Sequence, residues 1–139
     1  MLDAGPLGRL SKPTPLPEID LWLAALVRAG VQVIVPEIID FEIRRELLRA
    51  KLQRSIDALD YLKGRLIYNP ITTPAMLRAS ELWADARRAG RPTADPKELD
   101  CDVILAAQAL EAGAIVATEN AGHIGRYVTA RHWRHITPP

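Results

Sequence analysis

Carboxylates are the residues of this chain whose types and spacing suggest chemistry. Asp3 follows the first apolar pair, Met1-Leu2. Glu37, Asp40 and Glu42 follow the β-branched run Val31–Val35. Asp100 and Asp102 open a segment that precedes a second apolar run, Ala114–Thr118, and Glu119 and Asn120 follow that run directly. Carboxylates brought to one place repel each other unless a cation joins them. Hard divalent ions such as Mg²⁺ take oxygen ligands of this kind. Two such ions can hold a phosphodiester and ionise a water for in-line attack. Each residue also has a plainer use. An aspartate at a helix start caps or complements the dipole, Glu42 has Arg45 within reach, and Asp3 suits a turn.

These residues are set in alternating elements. Residues 18–30 carry Leu21, Trp22, Ala25, Leu26 and Ala29 at helical period, and Gly30 is placed to stop the helix. Val31–Val35 reads as a buried parallel strand, and Pro36 suits the first turn of a following helix. Helices are expected over 37–51, with Ile39, Ile43, Leu47 and Ala50 as its stripe, and over 55–62, stopped by Gly64. Leu66–Tyr68 reads as a short strand. Thr73 is placed as the N-cap of a helix running to about Ala89. A loop at 90–98, a helix at 99–112 and a strand at 114–118 follow. Residues 119–126 read as loop or short helix, and 127–136 as short extended pieces. Ala4-Gly5-Pro6 and the proline-bearing stretch 11–17 read as loops. Alternation of this kind predicts a parallel sheet covered on both faces, with ligands beyond the carboxyl ends of its strands.

Composition limits the function classes. The chain has 139 residues, suited to one domain spanning 1–139, with 48% apolar and 25% charged residues. A net charge of +1 argues against nucleic-acid binding by bulk positive charge. The exception is local: no acid follows Glu119, while Arg126, Arg131 and Arg134 do, interleaved with His123, His132 and His135. That stretch is either a solvated edge or a phosphate-facing patch. One cysteine, Cys101, excludes an internal disulfide and a cysteine zinc cluster and fits a cytoplasmic protein. No run approaches the roughly 18 apolar residues of a membrane span, and MLDAGPLGRL lacks the features of a secretory leader. Seven aromatics leave little for base stacking. Trp22 and Trp83 read as core, and Trp133 as a packing or a base-stacking residue.

Four pieces, taken in order, resemble the PIN-domain family, the fold of VapC-type toxin ribonucleases. They are Leu2-Asp3, Phe41-Glu42-Ile43-Arg44-Arg45-Glu46-Leu47, the run Asp102 to Leu110, and Ala117-Thr118-Glu119-Asn120. Together they span residues 2 to 120. The resemblance implies a three-layer α/β/α sandwich with a central parallel sheet. It implies a Mg²⁺- or Mn²⁺-dependent endoribonuclease in which Asp3, Glu42 and Asp102 are catalytic and hold the metal. Asn120 takes the fourth position and Asp100 assists if it caps the helix from outside; two positions along a helix point about 200° apart. Arg44, Arg45 and His123 are the candidate contacts to substrate phosphate. RNA is the implied substrate, an antitoxin protein the implied partner and a homodimer the implied assembly. Leu47, Leu48, Leu52, Leu59 and Leu62 supply either a dimer surface or a two-sided buried helix pair.

The chain departs from the family pattern at three points. Ala4-Gly5 replaces the small hydroxyl residue that usually follows the first aspartate, only two residues precede Asp3, and Asn120 is neutral. These departures suit an alternative, a PIN-fold module that binds RNA or protein without cleaving. A phospho-receiver domain, also a small α/β fold with clustered aspartates, would need a lysine after its last strand, and none follows Lys97.

Overall fold

Leu2 joins the sheet together. In the computed structural model, which describes all 139 residues, the Leu2 amide donates to the Ile34 carbonyl at 2.9 Å. On its other side Leu2 bridges Ala117 in parallel. The Asp3 amide donates to Ala117 O at 3.0 Å, and the Ala117 amide to Met1 O at 2.9 Å. Two parallel pairs flank this short piece. β1 (Ile34–Pro36) pairs with β2 (Ile67–Asn69), and β3 (Val116–Thr118) with β4 (Ala130–His132). The order across the sheet is β2, β1, Met1–Asp3, β3, β4, so the abbreviated first strand is central. Val35, Val116 and Leu2 are almost fully buried, as strands covered on both faces require.

Seven helices surround the sheet: α1 (Ala4–Leu10), α2 (Pro17–Arg28), α3 (Glu37–Arg49), α4 (Gln53–Arg65), α5 (Thr73–Arg88), α6 (Cys101–Glu111) and α7 (Ala121–Ile124). The architecture is the α/β/α sandwich expected from the alternation. α6 packs against both α3 and α5. Every residue of α6 from Val103 to Ala109 is buried, so it is a core helix, apolar on all sides. Its first turn, carrying Asp100 and Asp102, is therefore fixed relative to the sheet. Buried Gln108 ties it there, accepting from the Ile38 amide and donating to Asn69.

Several elements differ from the sequence expectation. Ala4-Gly5-Pro6, expected as a loop, open the helix Ala4–Leu10. Asp3 caps it, its Oδ1 accepting from the Ala4 amide at 2.7 Å, and Pro6 falls in the first turn, where its missing N–H is harmless. Thr72, not Thr73, caps α5, accepting from the Ala75 amide. Gly64 lies inside α4, which runs on to Arg65. Pro36 ends β1 and caps α3 rather than beginning it. In α2 the buried residues are Ile19 and Leu26, while Leu21 is exposed. The expected leucine surface is split: Leu59 is buried, Leu47 and Leu62 are half-buried, and Leu48 and Leu52 are exposed. Trp22 and Trp83 are half-buried. Trp133 is buried in a 3₁₀ turn, edge-on to Trp22, and is closed to base stacking.

Candidate active site

Asp3, at the centre of the sheet, supplies the first carboxylate. Its Oδ2 accepts from the Thr118 hydroxyl at 2.6 Å, and Thr118 Oγ1 in turn accepts from the Asn120 amide at 3.0 Å. Thr118 is buried at the end of β3. A hydroxyl from the neighbouring strand thus holds the Asp3 carboxylate. Gly5 has a separate consequence: a Cβ there would stand 2.8 Å from Glu119 Cγ, so glycine leaves room for the glutamate to lie against α1. Glu119 pairs with Arg9, whose guanidinium holds its carboxyl below the usual range. Glu119 therefore adds no free charge to the pocket.

Glu42, half-buried on α3, shares the neighbourhood of Asp3 and Asp102. Burial raises its pKa first, and the charges of Asp3 and Asp102 raise it further, while Arg45 partly offsets them. Asp102, in the first turn of α6, is also raised, chiefly by burial and then by Asp3 and Asp100 against the opposing pull of His123. Beyond burial, the charges of Asp3 and Asp102 thus disfavour ionisation of Glu42, and that of Asp3 disfavours ionisation of Asp102, across up to 99 positions of sequence. A divalent ion would reverse that penalty, and the oxygen donors present are of the type Mg²⁺ and Mn²⁺ accept. No three His, Cys, Asp or Glu side chains are already gathered into a finished ion cage. The donor chemistry fits a divalent ion, and binding one requires side-chain movement.

The remaining candidates divide. His123, on α7, meets the site directly, its Nε2 lying 2.8 Å from Asp102 Oδ2. Arg45 is exposed and sits over the Phe41 ring while acting on Glu42. Asn120 is exposed and opens α7 without a side-chain cap. Asp100 is the buried cap of α6: Oδ1 accepts from the Val103 amide at 3.3 Å and Oδ2 from the Thr93 hydroxyl. Arg44 points elsewhere, bonding Asp40 at 2.9 Å and also Asp60. These carboxylates are the partners that explain its raised pKa. Of the other acids after β1, Asp40 is taken up by Arg44 and Lys63, and Glu37 accepts from the Tyr68 hydroxyl and the Ile71 amide. Cys101 is a neighbour that the motif reading passed over. Burial, followed by the charge of Glu42, pushes its thiol up to about 11. Its position beside Asp102 was the available signal.

A parallel α/β/α sandwich with carboxylates beyond the strand ends is the class these features define. Three solved assemblies contain a chain of similar fold. For VapBC2 from Rickettsia felis bound to a promoter DNA fragment, the TM-score is 0.79 at 17% identity, covering 96% of this chain and 97% of that one. For VapBC-1 from nontypeable Haemophilus influenzae the values are 0.69 and 20%, covering 96% and 97%. For FitAcB from Neisseria gonorrhoeae they are 0.63 and 23%, covering 97% and 98%. No family model matches the chain, and no curated protein sequence matches it. The fold is therefore the PIN type that the motifs resemble.

Proposed function

We propose that the protein is a divalent-metal-dependent endoribonuclease and the toxin of a toxin–antitoxin pair. The observation that supports this reading is a pair of half-buried carboxyls raised first by burial and then by neighbouring acids: Asp3 and Asp102 act on Glu42, and Asp3 and Asp100 on Asp102. Such a cluster makes chemical sense around a cation. Asp3, Glu42 and Asp102 would hold Mg²⁺ or Mn²⁺, with Asn120 beside them and Asp100 supporting Asp102 from the cap. Bound there, the ion would supply phosphate neutralisation and a lowered pKa for an attacking water. Thr118 fixes the Asp3 carboxylate by hydrogen bond. Arg45 is the cation beside Glu42 that would receive a substrate phosphate. With Asp102 engaged by the ion, His123 would be free to contact a substrate phosphate.

The partner reading draws on the solved neighbours, which are VapBC and FitAB assemblies; an antitoxin is proposed for this chain by that likeness. Exposed Leu48, Leu52 and Tyr61 suit a protein–protein contact, including the expected homodimer. No helix is long and apolar enough to cross a membrane.

Cleavage of single-stranded RNA with Mn²⁺ and its loss with chelator test the activity. Loss on Asp102→Asn, with circular dichroism unchanged, assigns the activity to this pocket. A second reading, a PIN-fold binding module, is favoured by the His123–Asp102 contact and the open cage. Calorimetry showing no binding of Mg²⁺ or Mn²⁺ at millimolar concentration would support that reading instead.

A further inference from the structure

A second feature lies one imidazole away from the acidic pocket. His123 touches Asp102 through Nε2, and its Nδ1 lies 3.3 Å from Arg126 Nη2. One ring nitrogen thus meets the carboxylate and the other the guanidinium. Arg126 also donates through Nε to the His123 carbonyl at 3.1 Å. Its guanidinium borders a cleft of about 270 Å³ lined by Leu82, Asp85, Ala86, Arg91, Arg126 and Tyr127, among others.

The cleft places two arginines without ion-pair partners side by side. Arg91 and Arg126 are exposed, and neither takes part in any of the chain's ion pairs. The one acid in the lining, Asp85, is paired with Arg88. Neither guanidinium has a carboxylate partner; Arg126 also donates to the Arg91 carbonyl, which holds the two residues together at the cleft. The framework around them is tied down. The Tyr127 hydroxyl donates to Thr93 Oγ1 at 3.3 Å, and Thr93 donates to Asp100, the cap of the helix that carries Asp102. Arg87, lying over the Trp83 ring, donates to Ala94 O at 2.7 Å and holds the same loop to α5.

We propose that this cleft is a binding subsite for the backbone phosphates of single-stranded RNA, taking up the strand beyond the bond presented to the acidic pocket, with Arg91 and Arg126 as the phosphate contacts and His123 as the link between the two sites. Planar guanidiniums match phosphate geometry, and the pair lies where a strand leaving Asp102 past His123 would pass. The choice of RNA rests on the nuclease reading above. The same surface locates the function of the basic C-terminal stretch in Arg126. Arg134 is excluded from that role by its pairing with Glu18.

The test is fluorescence anisotropy of the full chain with a short labelled single-stranded RNA, in chelator so that cleavage cannot occur, at several salt concentrations. Arg91→Gln removes a side chain with no bonds in the folded protein, so folding is not at issue. It is expected to reduce the slope of log affinity against log salt by about 0.7. Arg91→Gln/Arg126→Gln is expected to reduce the slope by about 1.4 and to weaken binding about tenfold, while Arg126→Lys retains the slope. Arg54→Gln, on exposed α4, should match the parent protein. The proposal is overturned if Arg91→Gln and the double variant bind like the parent, or if Arg54→Gln costs as much. It is likewise overturned if the cleft variants lose binding to poly-glutamate but keep RNA, which would assign the cleft to an acidic protein segment. Binding in chelator is independent of catalysis. Arginine-dependent binding without Mn²⁺-dependent cleavage would sink the nuclease reading and keep the cleft; cleavage with unchanged binding in the variants would do the reverse.

Discussion

Asp40 and Glu42 lie two residues apart on one helix and belong to different kinds of acidic cluster. Asp40 is buried, yet Arg44 at 2.9 Å and Lys63 at 2.6 Å neutralise it, and Asp60 completes the group from α4. The Arg44 guanidinium holds the Asp60 carboxyl below its usual range. The Glu42 carboxyl is raised by burial first and then by the charges of Asp3 and Asp102, with only Arg45 as a partial offset. The same residue type is structural where the fold supplies cations and chemically poised where it does not. The partners, rather than the number of acids, separate the two: two cations bond Asp40, while two further carboxylates act on Glu42.

Substitutions on each side sharpen or break this contrast. Asp102→Asn is expected to lower Mn²⁺-dependent RNA cleavage by at least about a hundredfold with the fold retained by circular dichroism. Asp40→Asn should do the opposite: by leaving Arg44 and Lys63 short of a partner it should cost about 2–4 kcal/mol in chemical denaturation, while cleavage per folded molecule stays near that of the parent. Equal effects of the two on activity would erase the distinction. Thr118→Val removes the hydroxyl between Asp3 and the Asn120 amide and should cost about 1–2 kcal/mol, with a weaker apparent Mn²⁺ affinity in activity titrations.

Protonation gives the smallest and most diagnostic effect. Because the folded pKa of Glu42 is raised, its protonated form favours the folded state, and that contribution is lost as pH rises through the raised value. Glu42→Gln should therefore melt higher than the parent at neutral pH without metal. The advantage should vanish below the ordinary carboxylate range. Glu119 and Asp60, whose pKa values are lowered by Arg9 and Arg44, behave oppositely and stabilise the fold less as the solution is acidified. A Glu42→Gln advantage that is constant with pH would show that the carboxylate is not under strain from its neighbours.

Sequence carried much of this. The strand–helix alternation and the buried α6 run were legible because periodicity encodes them; the choice of Asp3, Glu42 and Asp102 among the acids came from the resemblance to the PIN-domain family. α1 was not, because Gly5, Pro6 and Gly8 imitate a loop until Asp3 caps the first turn. Which acid meets which base was also hidden. Arg44 adjoins Glu42 in neighbouring helical positions but pairs with Asp40 and Asp60, and Glu119 is held by Arg9 across 110 residues. Helical phase and tertiary packing decide such pairings. Thr118 shows the same rule from the other side: its hydroxyl bonds Asp3 from a strand adjacent in space and 115 residues away in sequence.

The central claim is that Asp3, Glu42 and Asp102 form one cation site. A crystal structure of the protein in saturating Mn²⁺, with anomalous scattering collected at the manganese edge, tests it most directly. An anomalous peak in contact with carboxylate oxygens of all three residues, with His123 displaced from Asp102, is the expected result. A map with no manganese among them, and His123 still on Asp102, would contradict it.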